Sequence, residues 1–311
     1  VGESQFIREL KQRLPSIAGS DPSVLITGET GTGKEVVARA IHYLSKRRHR
    51  PFVPLHCGAV PSDLFENELF GHRRGAYTGA EGSQQGLIAQ ADHGTLFLDE
   101  ISTLPMRDQE KLLRVLQEGE YRPIGGAGVM RADIRILAAT NIDLEAAVQR
   151  GRFRIDLLYR INTLVVDIPP LRSRPEDILP LAHHFLRLYS WKYRKQSTGF
   201  SPAAIARLEG YEWPGNVREL QHVVESAVAL TTTPEITEVV LHGSQSQPVA
   251  DYLAYRDAKH QAVEQFQREY LTRLVQAAGG NLSRAARMAG VERAYFSRLL
   301  RRHCICVEKE R

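Results

Sequence analysis

Cysteine is scarce in this chain: three residues in 311, at positions 57, 304 and 306. Three thiols cannot build a disulfide framework, which excludes the stapled secreted scaffolds and suits a reducing cytoplasm. Cys304 and Cys306 form a Cys-x-Cys pair with no second pair beside it, so they read as ordinary thiols rather than a metal site. No apolar run is long enough to span a bilayer, and no signal-peptide pattern opens the chain. A cytoplasmic protein with no membrane partner is expected. Internal repeats are absent too. The chain begins with Val1 rather than Met, as a piece of a longer protein would.

What is present is ordinary in bulk: 42% hydrophobic and 25% charged residues, as in soluble globular proteins. At roughly 150 residues per domain the length suffices for about two domains. The net charge of +5 is unevenly placed. From Tyr252 to Arg311 there are twelve Lys/Arg against six Asp/Glu, a net of +6, so the remainder is near −1. A basic C-terminal segment points to an anionic partner there, nucleic acid first.

Apolar, β-branched runs at 24–27, 52–55, 95–98, 134–139 and 164–168 read as strands, with helical patterns between them. Such alternation predicts an α/β fold: a parallel sheet with helices on both faces. Pro169-Pro170 ends this region, and residues 176–230 are helical in pattern, giving a smaller all-α domain. Gly-Ser-Gln-Ser-Gln-Pro at 243–248 reads as a linker. The expected division is 1–170, an α/β subdomain; 171–242, a helical lid; 243–251, a linker; and 252–311, a DNA-binding domain.

Gly28-Glu29-Thr30-Gly31-Thr32-Gly33-Lys34 fits the phosphate-loop pattern GxxxxGK and lies between a strand and a helix, the context such a match requires. Its glycines let backbone N–H groups wrap phosphates, and the helix N-terminus adds partial positive charge. Lys34 is placed to reach the β- and γ-phosphates of ATP. Glu35 stands where a Ser or Thr would ordinarily contact Mg²⁺, which by chemistry alone weakens the metal site. Asp99 and Glu100 end an apolar strand. In that position Asp99 holds Mg²⁺, through water, and Glu100 orients and polarises the attacking water.

Between these two halves lies Gly75-Ala76-Tyr77-Thr78-Gly79-Ala80. Two glycines and two alanines cannot form a core. One aromatic on so flexible a base reads either as a probe presented to a partner or as a plain Gly-rich turn. A second loop, about 119–131 with Gly125-Gly126, interrupts the stretch before the fourth strand.

Near the C-terminus, residues 281–290 read as a helix capped by Asn281 and stopped by Gly290. Residues 292–303 form the next helix, with Phe296, Leu299 and Leu300 on its buried face and Ser297, Arg298, Arg301 and Arg302 opposite. Six arginines and one acid lie between Asn281 and His303. A helix, a Gly turn and an Arg-faced helix follow the helix-turn-helix plan, whose second helix enters the major groove. Arg284, Arg293, Ser297, Arg298, Arg301 and Arg302 are the expected DNA contacts, to phosphates or guanine edges. A helical hairpin used only for oligomerisation has the same outline.

The hexapeptide, with Glu-Leu-Phe-Gly-His at 68–72 before it, closely resembles the loop with which bacterial enhancer-binding proteins of the AAA+ ATPase superfamily engage sigma-54 RNA polymerase. That family usually has Phe where this chain has Tyr77, and commonly has Glu at the position of Glu35. The resemblance covers nearly the whole chain. It implies that Gly75, Ala76, Tyr77, Thr78, Gly79 and Ala80 contact sigma-54, with both loops on one face of a ring near its pore. Ala138-Ala139-Thr140-Asn141 looks like sensor I, with Asn141 near the γ-phosphate. Residues 153–160 are similar to the arginine-finger segment, so Arg154 and Arg160 reach the neighbouring subunit's site. A finger of this kind supplies about 10³–10⁵ in rate, which makes assembly a condition of hydrolysis. Residues 213–220 resemble sensor II, with Arg218 on the nucleotide. Each arginine taken alone reads as a surface charge; their order and spacing carry the comparison.

His56 departs from the family, where Asn commonly precedes the Cys and holds the Walker B Glu as a switch. Imidazole can hydrogen-bond Glu100 and can also charge, so the switch role with coupling that varies near neutral pH is one expectation. A packed strand-end histidine is the other. The C-terminal segment resembles the Fis-type domain, with a long helix at about 255–277 pairing two copies as a dimer. The implied whole is a sigma-54-dependent transcription activator that hydrolyses ATP in a ring, a hexamer, remodels the closed sigma-54 RNA polymerase promoter complex, and binds upstream enhancer DNA. Two other readings fit many of the same residues: an AAA+ ATPase remodelling another protein partner, and a DNA-binding regulator with a vestigial ATPase.

Overall fold

Strands β1 (Val24–Thr27), β2 (Phe52–His56), β3 (Thr95–Asp99), β4 (Arg135–Thr140) and β5 (Leu164–Asp167) form one parallel sheet in the order β2-β3-β4-β1-β5. All five lie where the apolar runs predict, with ends shifted by about one residue. In this computed structural model the described residues are 1–77, 82–197, 199–241, 267, 270–275, 278, 281–291 and 293–302, with backbone alone for Ser62, Asp63, Arg301 and Arg302. The chain divides into two units, Val1–Leu241 and His242–Arg311.

Alternate strand residues face opposite layers, and both layers are apolar. On one face, Ile26, Phe97 and Leu137 pack with α1 (Gln5–Gly19) and α2 (Lys34–Leu44) through Leu14, Ile17 and Ile41. The other face sends Leu25, Leu96, Leu98 and Ala138 against α3 (Ser62–Phe70), α4 (Met106–Glu118), α5 (Leu144–Gln149) and α6 (Ile155–Ile161). Each fully buried Leu, Ile or Phe contributes about 1.5–3 kcal/mol relative to exposure, so these layers fix the register of the strand ends that carry the site. Arg135, buried in β4, donates to the carbonyls of Ile17 (2.7 Å) and Ala18 (3.0 Å) at the end of α1. A cation there satisfies orphan carbonyls and suits the negative end of the helix dipole.

Helices α7 (Ile178–Lys192), α8 (Pro202–Glu209) and α9 (Asn216–Leu230) build the lid around Trp213, whose Nε1 donates to Leu208 O at 2.9 Å. Helical spacing places Leu220, Val223, Val224 and Val228 on the buried face of α9. A two-residue parallel pair, Gly199–Phe200 with Glu235–Ile236, closes the lid and is too short to leave a sequence signal.

In the second unit, α10 (Leu282–Met288) and α11 (Arg293–Arg302) enclose a small core of Leu271, Ala278, Ala285, Ala286, Phe296 and Leu300. Asn281 caps α10 by accepting from the Ser283 and Arg284 N–H groups, both at 3.1 Å. Gly290, at φ 68, turns the chain toward α11 in a conformation that favours glycine. Arg284, Arg293 and Arg298 are exposed and Ser297 half-buried. Of the expected helix at 255–277, residues 270–275 are helical, while most of the rest, like the linker at 243–248, lies outside the described residues.

Candidate nucleotide site and its two loops

The phosphate loop leaves β1 and enters α2. Gly28, Gly31 and Gly33 take φ values of 143, 81 and 102, which L side chains rarely adopt. A Cβ at Gly28 would stand 2.6 Å from Ile168 O, and one at Gly31 2.3 Å from Gly215 O, so two of these glycines are required by close packing as well. Lys34 is 8% exposed, and its Nζ donates to Gly28 O (2.8 Å) and Glu29 O (3.0 Å). Burial lowers the pKa of its ammonium, while Asp99 and Glu100 oppose the shift. A buried lysine inside a loop of left-handed glycines, facing two carboxylates, fits the phosphates of a nucleotide and a divalent cation held at Asp99. Glu35 turns away and pairs with Arg39 at 2.7 Å on the exposed side of α2.

Asp99 and Glu100 close β3. Glu100 adopts a left-handed backbone, φ 53, and its N–H donates to Asp99 Oδ1 at 3.1 Å. That kink separates two adjacent carboxylates into different directions. His56, at the end of β2, faces both: Nδ1 lies 3.3 Å from Asp99 Oδ2 and Nε2 3.6 Å from Glu100 Oε2. A Cβ at Gly58 would meet Glu100 Oε2 at 2.6 Å, so this carboxylate is seated against bare backbone. The neighbouring Cys57 is buried, and burial, then Asp99, pushes its thiol up to about 12.

Asn141, just past β4, donates to Thr30 Oγ1 at 3.1 Å and so joins the loop directly. From the lid, Arg218 is exposed, but its field is felt at Lys34 and its backbone N–H donates to Gly31 O at 3.3 Å. Glu29 differs from the rest of the loop. Its carboxylate points to the lid, where Arg172 Nη1 donates to Oε2 at 2.8 Å and Asn216 Nδ2 to the same oxygen at 3.1 Å. The Arg172 and then the Asn216 hydrogen bond lower its pKa to about 2.

Arg154 and Arg160 lie on the segment of α6. Arg154 pairs with Asp156 at 2.8 Å, and Arg160 donates to Leu116 O at 2.7 and 2.9 Å. Among the described residues neither bonds to the phosphate loop of its own chain. Gln109 of α4, fully buried, holds the start of α6: its Oε1 accepts from Arg154 N–H at 2.8 Å while Nε2 donates to Leu104 O and Arg152 O.

The two inserts share one base. Gly71–His72 pairs antiparallel with Gln84–Gln85, and Glu120–Tyr121 with Met130–Arg131. Between them, Ile124 N–H donates to Gly71 O (2.9 Å) and Arg73 N–H to Ile124 O (3.0 Å). Gly125 sits so near Ala76 that a Cβ would stand 2.7 Å from the alanine Cβ. Tyr77 is 48% exposed, with its ring 5.1 Å from that of buried His72, which bonds Asn67 at 2.6 Å. Thr78, Gly79 and Ala80 lie outside the described residues, as do the side chains of Arg301 and Arg302.

The profile of the Sigma-54 interaction domain matches residues 1–167, and that of the AAA+ ATPase lid domain matches 172–251. The chain belongs to the sigma-54-dependent transcriptional regulators. It is 44% identical over 303 residues to the transcriptional regulatory protein GlrR of Escherichia coli K12, covering 97% of this chain and 67% of GlrR. To the Sigma54-dependent transcriptional regulator SfnR of Pseudomonas fluorescens Pf0-1 it is 52% identical over 230 residues, 74% of this chain and 63% of SfnR. Crystalline NtrX of Brucella abortus in complex with ATP superposes with a TM-score of 0.76 at 34% identity, over 97% of this chain and 68% of NtrX. The chain thus spans about two thirds of the length of these relatives. Among the described residues no helix is long and apolar enough to cross a membrane.

The structure brings together residues whose roles sequence reasoning missed. Arg172 and Arg174 sit in an Arg-rich turn after Pro169-Pro170, a position that reads only as a domain boundary. Asn216 lies two residues before Arg218 and is fully buried, with a left-handed φ of 54. A polar residue forced into that backbone signals a structural task, but the φ is invisible in sequence.

Proposed function

We propose that this chain is the ATPase and DNA-binding part of a cytoplasmic sigma-54-dependent transcription activator, which hydrolyses ATP to remodel the closed sigma-54 RNA polymerase promoter complex. Lys34 and the N–H groups of residues 28–33 bind the phosphates. Asp99 would hold Mg²⁺, which when bound would supply charge neutralisation at the phosphoryl oxygens. Glu100 orients and polarises the attacking water, and Asn141 and Arg218 position the terminal phosphate. His56 positions Glu100 and stands in for the usual Asn of the switch. Arg154 and Arg160 act on the neighbouring subunit in a ring of six. Their engagement away from their own phosphate loop is consistent with action in trans.

The observation that carries this reading is the shared base of the two inserts. Ile124 bonds to both Gly71 and Arg73, which ties the two loops at their base, and residues 75–80 with exposed Tyr77 are the part we assign to sigma-54. Tyr77 keeps the flat apolar ring and adds a hydroxyl, so contact is retained. Paired Fis-type helices hold the ring at upstream enhancer DNA through Arg284, Arg293, Ser297, Arg298, Arg301 and Arg302. The exposed arginines on α10 and α11 support this. Replacing Tyr77 or Thr78 by Ala tests the loop's role: loss of sigma-54 binding with ATPase intact is expected. Unchanged binding assigns the loop to another protein partner, and absence of Mg²⁺-dependent hydrolysis in the parent assigns the chain to DNA binding alone.

A further inference from the structure

The carbonyls of residues 28–33 are all engaged, three of the six by the lid or by the hinge at 169–177 that joins it to the sheet. Gly28 O and Glu29 O accept from Lys34. Thr30 O accepts from Asn216 Nδ2 at 3.1 Å, Gly31 O from Arg218 N–H at 3.3 Å, and Thr32 O from Arg174 Nη2 at 3.0 Å. Three successive carbonyls therefore bond to donors from the lid or its hinge, and the Glu29 carboxylate adds the forked contact with Arg172 and the bond from Asn216. Asn216 is the hub: its Oδ1 accepts from Leu171 N–H of the hinge at 2.7 Å while its amide nitrogen holds Glu29 and Thr30. Arg174 is in turn buried beside Asp177, whose carboxylate accepts from the Ser4 N–H and hydroxyl at 2.7 and 2.8 Å.

We infer that the lid templates the phosphate loop: Asn216, Arg172 and Arg174 are positioning residues that set the loop's shape for nucleotide, with the Glu29 carboxylate as their socket. The carbonyls of residues 30–32 point to the lid side, and in a planar trans peptide the N–H of the following residue points the opposite way. Fixing those carbonyls fixes the direction of the N–H groups. A lid that swings away releases three carbonyls at once and unshapes the loop, so lid angle and phosphate affinity are two readings of one equilibrium. The coupling runs through hydrogen bonds on the outer side of the loop and does not require contact between these three side chains and the nucleotide.

This inference rests on the proposed nucleotide site, and the experiment separates the two. Affinity for a fluorescent ADP analogue is measured on the full chain by titration, for the parent, Arg172→Ala, Glu29→Gln, the pair together, and Arg172→Lys. Arg172 is largely exposed and lies on a hinge, so its replacement leaves the cores of both subdomains intact. Arg172→Ala is expected to weaken binding about three- to tenfold, as loss of a forked charge-assisted contact partly open to solvent should. Lys, a single point donor, restores only part of it. Glu29→Gln weakens binding as well, and the double variant is no weaker than the worse single, because both act on one contact. Hydrogen exchange at residues 28–33 rises in the same variants. Full affinity in Arg172→Ala, or losses that add in the double variant, would overturn the templating role. A parent that binds no nucleotide overturns the nucleotide site itself.

Discussion

Gln109 stands in a charged run, Arg107-Asp108-Gln109-Glu110-Lys111, that reads as a solvated helix face, yet it makes three buried hydrogen bonds. They join α4 to the Arg152–Arg154 segment that launches α6. Gln109→Leu keeps the side chain's bulk and removes all three. A net loss of about 1 kcal/mol per bond is the starting point, and two carbonyls and one N–H are left unpaired in a buried place, which adds roughly 1 kcal/mol or more. The expected cost is about 3–5 kcal/mol, a large share of the roughly 5–15 kcal/mol available to a domain. For a unit of this size the midpoint of thermal unfolding should fall by roughly 8–15 °C. Denaturant unfolding of the full chain measures the cost. Hydrogen exchange of residues 154–161 localises it, since Arg154 N–H loses its acceptor. At a temperature where the variant stays folded, ATPase should fall toward the level of Arg154→Ala, because Arg154, proposed above as a finger, loses its anchor. A cost below about 1 kcal/mol, with exchange unchanged, would mean that Leu157, Leu158 and Ile161 alone hold α6, and the reasoning would fail.

Three other outcomes follow from the same geometry. Asp108 in the first turn of α4 is fully buried and has no hydrogen-bond partner among the described residues; Arg107 Nε stands 3.6 Å away. Burial raises its pKa above the ordinary 3.8, so its charge costs stability at neutral pH and costs nothing once the pH is below that value. Asp108→Asn should therefore stabilise the chain by about 1 kcal/mol at pH 7, the gain shrinking as pH falls toward 4; a loss of stability at pH 7 contradicts it. Cys57, with its thiol pushed to about 12, should resist alkylation in the native chain at pH 8 and react only on unfolding, as a peptide map would show. His56 is exposed, not packed as a strand-end core histidine would be. His56→Ala should lower ATPase more than His56→Asn, since Asn retains a donor for Glu100; equal losses would leave His56 no part in holding Glu100.

Most of the sheet was legible because a strand buried on both faces leaves a continuous apolar run, as Val24–Thr27 and Thr95–Asp99 do. That Lys34, Asp99 and Asn141 gather around one loop was legible from the phosphate-loop pattern, the acidic strand end and the family resemblance. The clamp on Glu29 was not, because Arg172 and Asn216 lie 143 and 187 residues from it and meet it only through tertiary folding. Nor was the joint between the inserts, which is built of backbone groups at Gly71, Arg73 and Ile124 and places no demand on side chains. His56 was singled out in sequence for contact with Glu100, and it stands slightly nearer Asp99.

The central claim is that ATP hydrolysis at Lys34, Asp99 and Glu100 is spent through the loop carrying Tyr77 on sigma-54 RNA polymerase. Open-complex formation on a sigma-54 promoter tests it most directly, with the purified chain, polymerase and either ATP or a non-hydrolysable analogue. The account predicts promoter melting with ATP, none with the analogue, and none when Glu100→Gln replaces the parent. Hydrolysis of ATP at full rate by an assembled chain that leaves the promoter closed would contradict it.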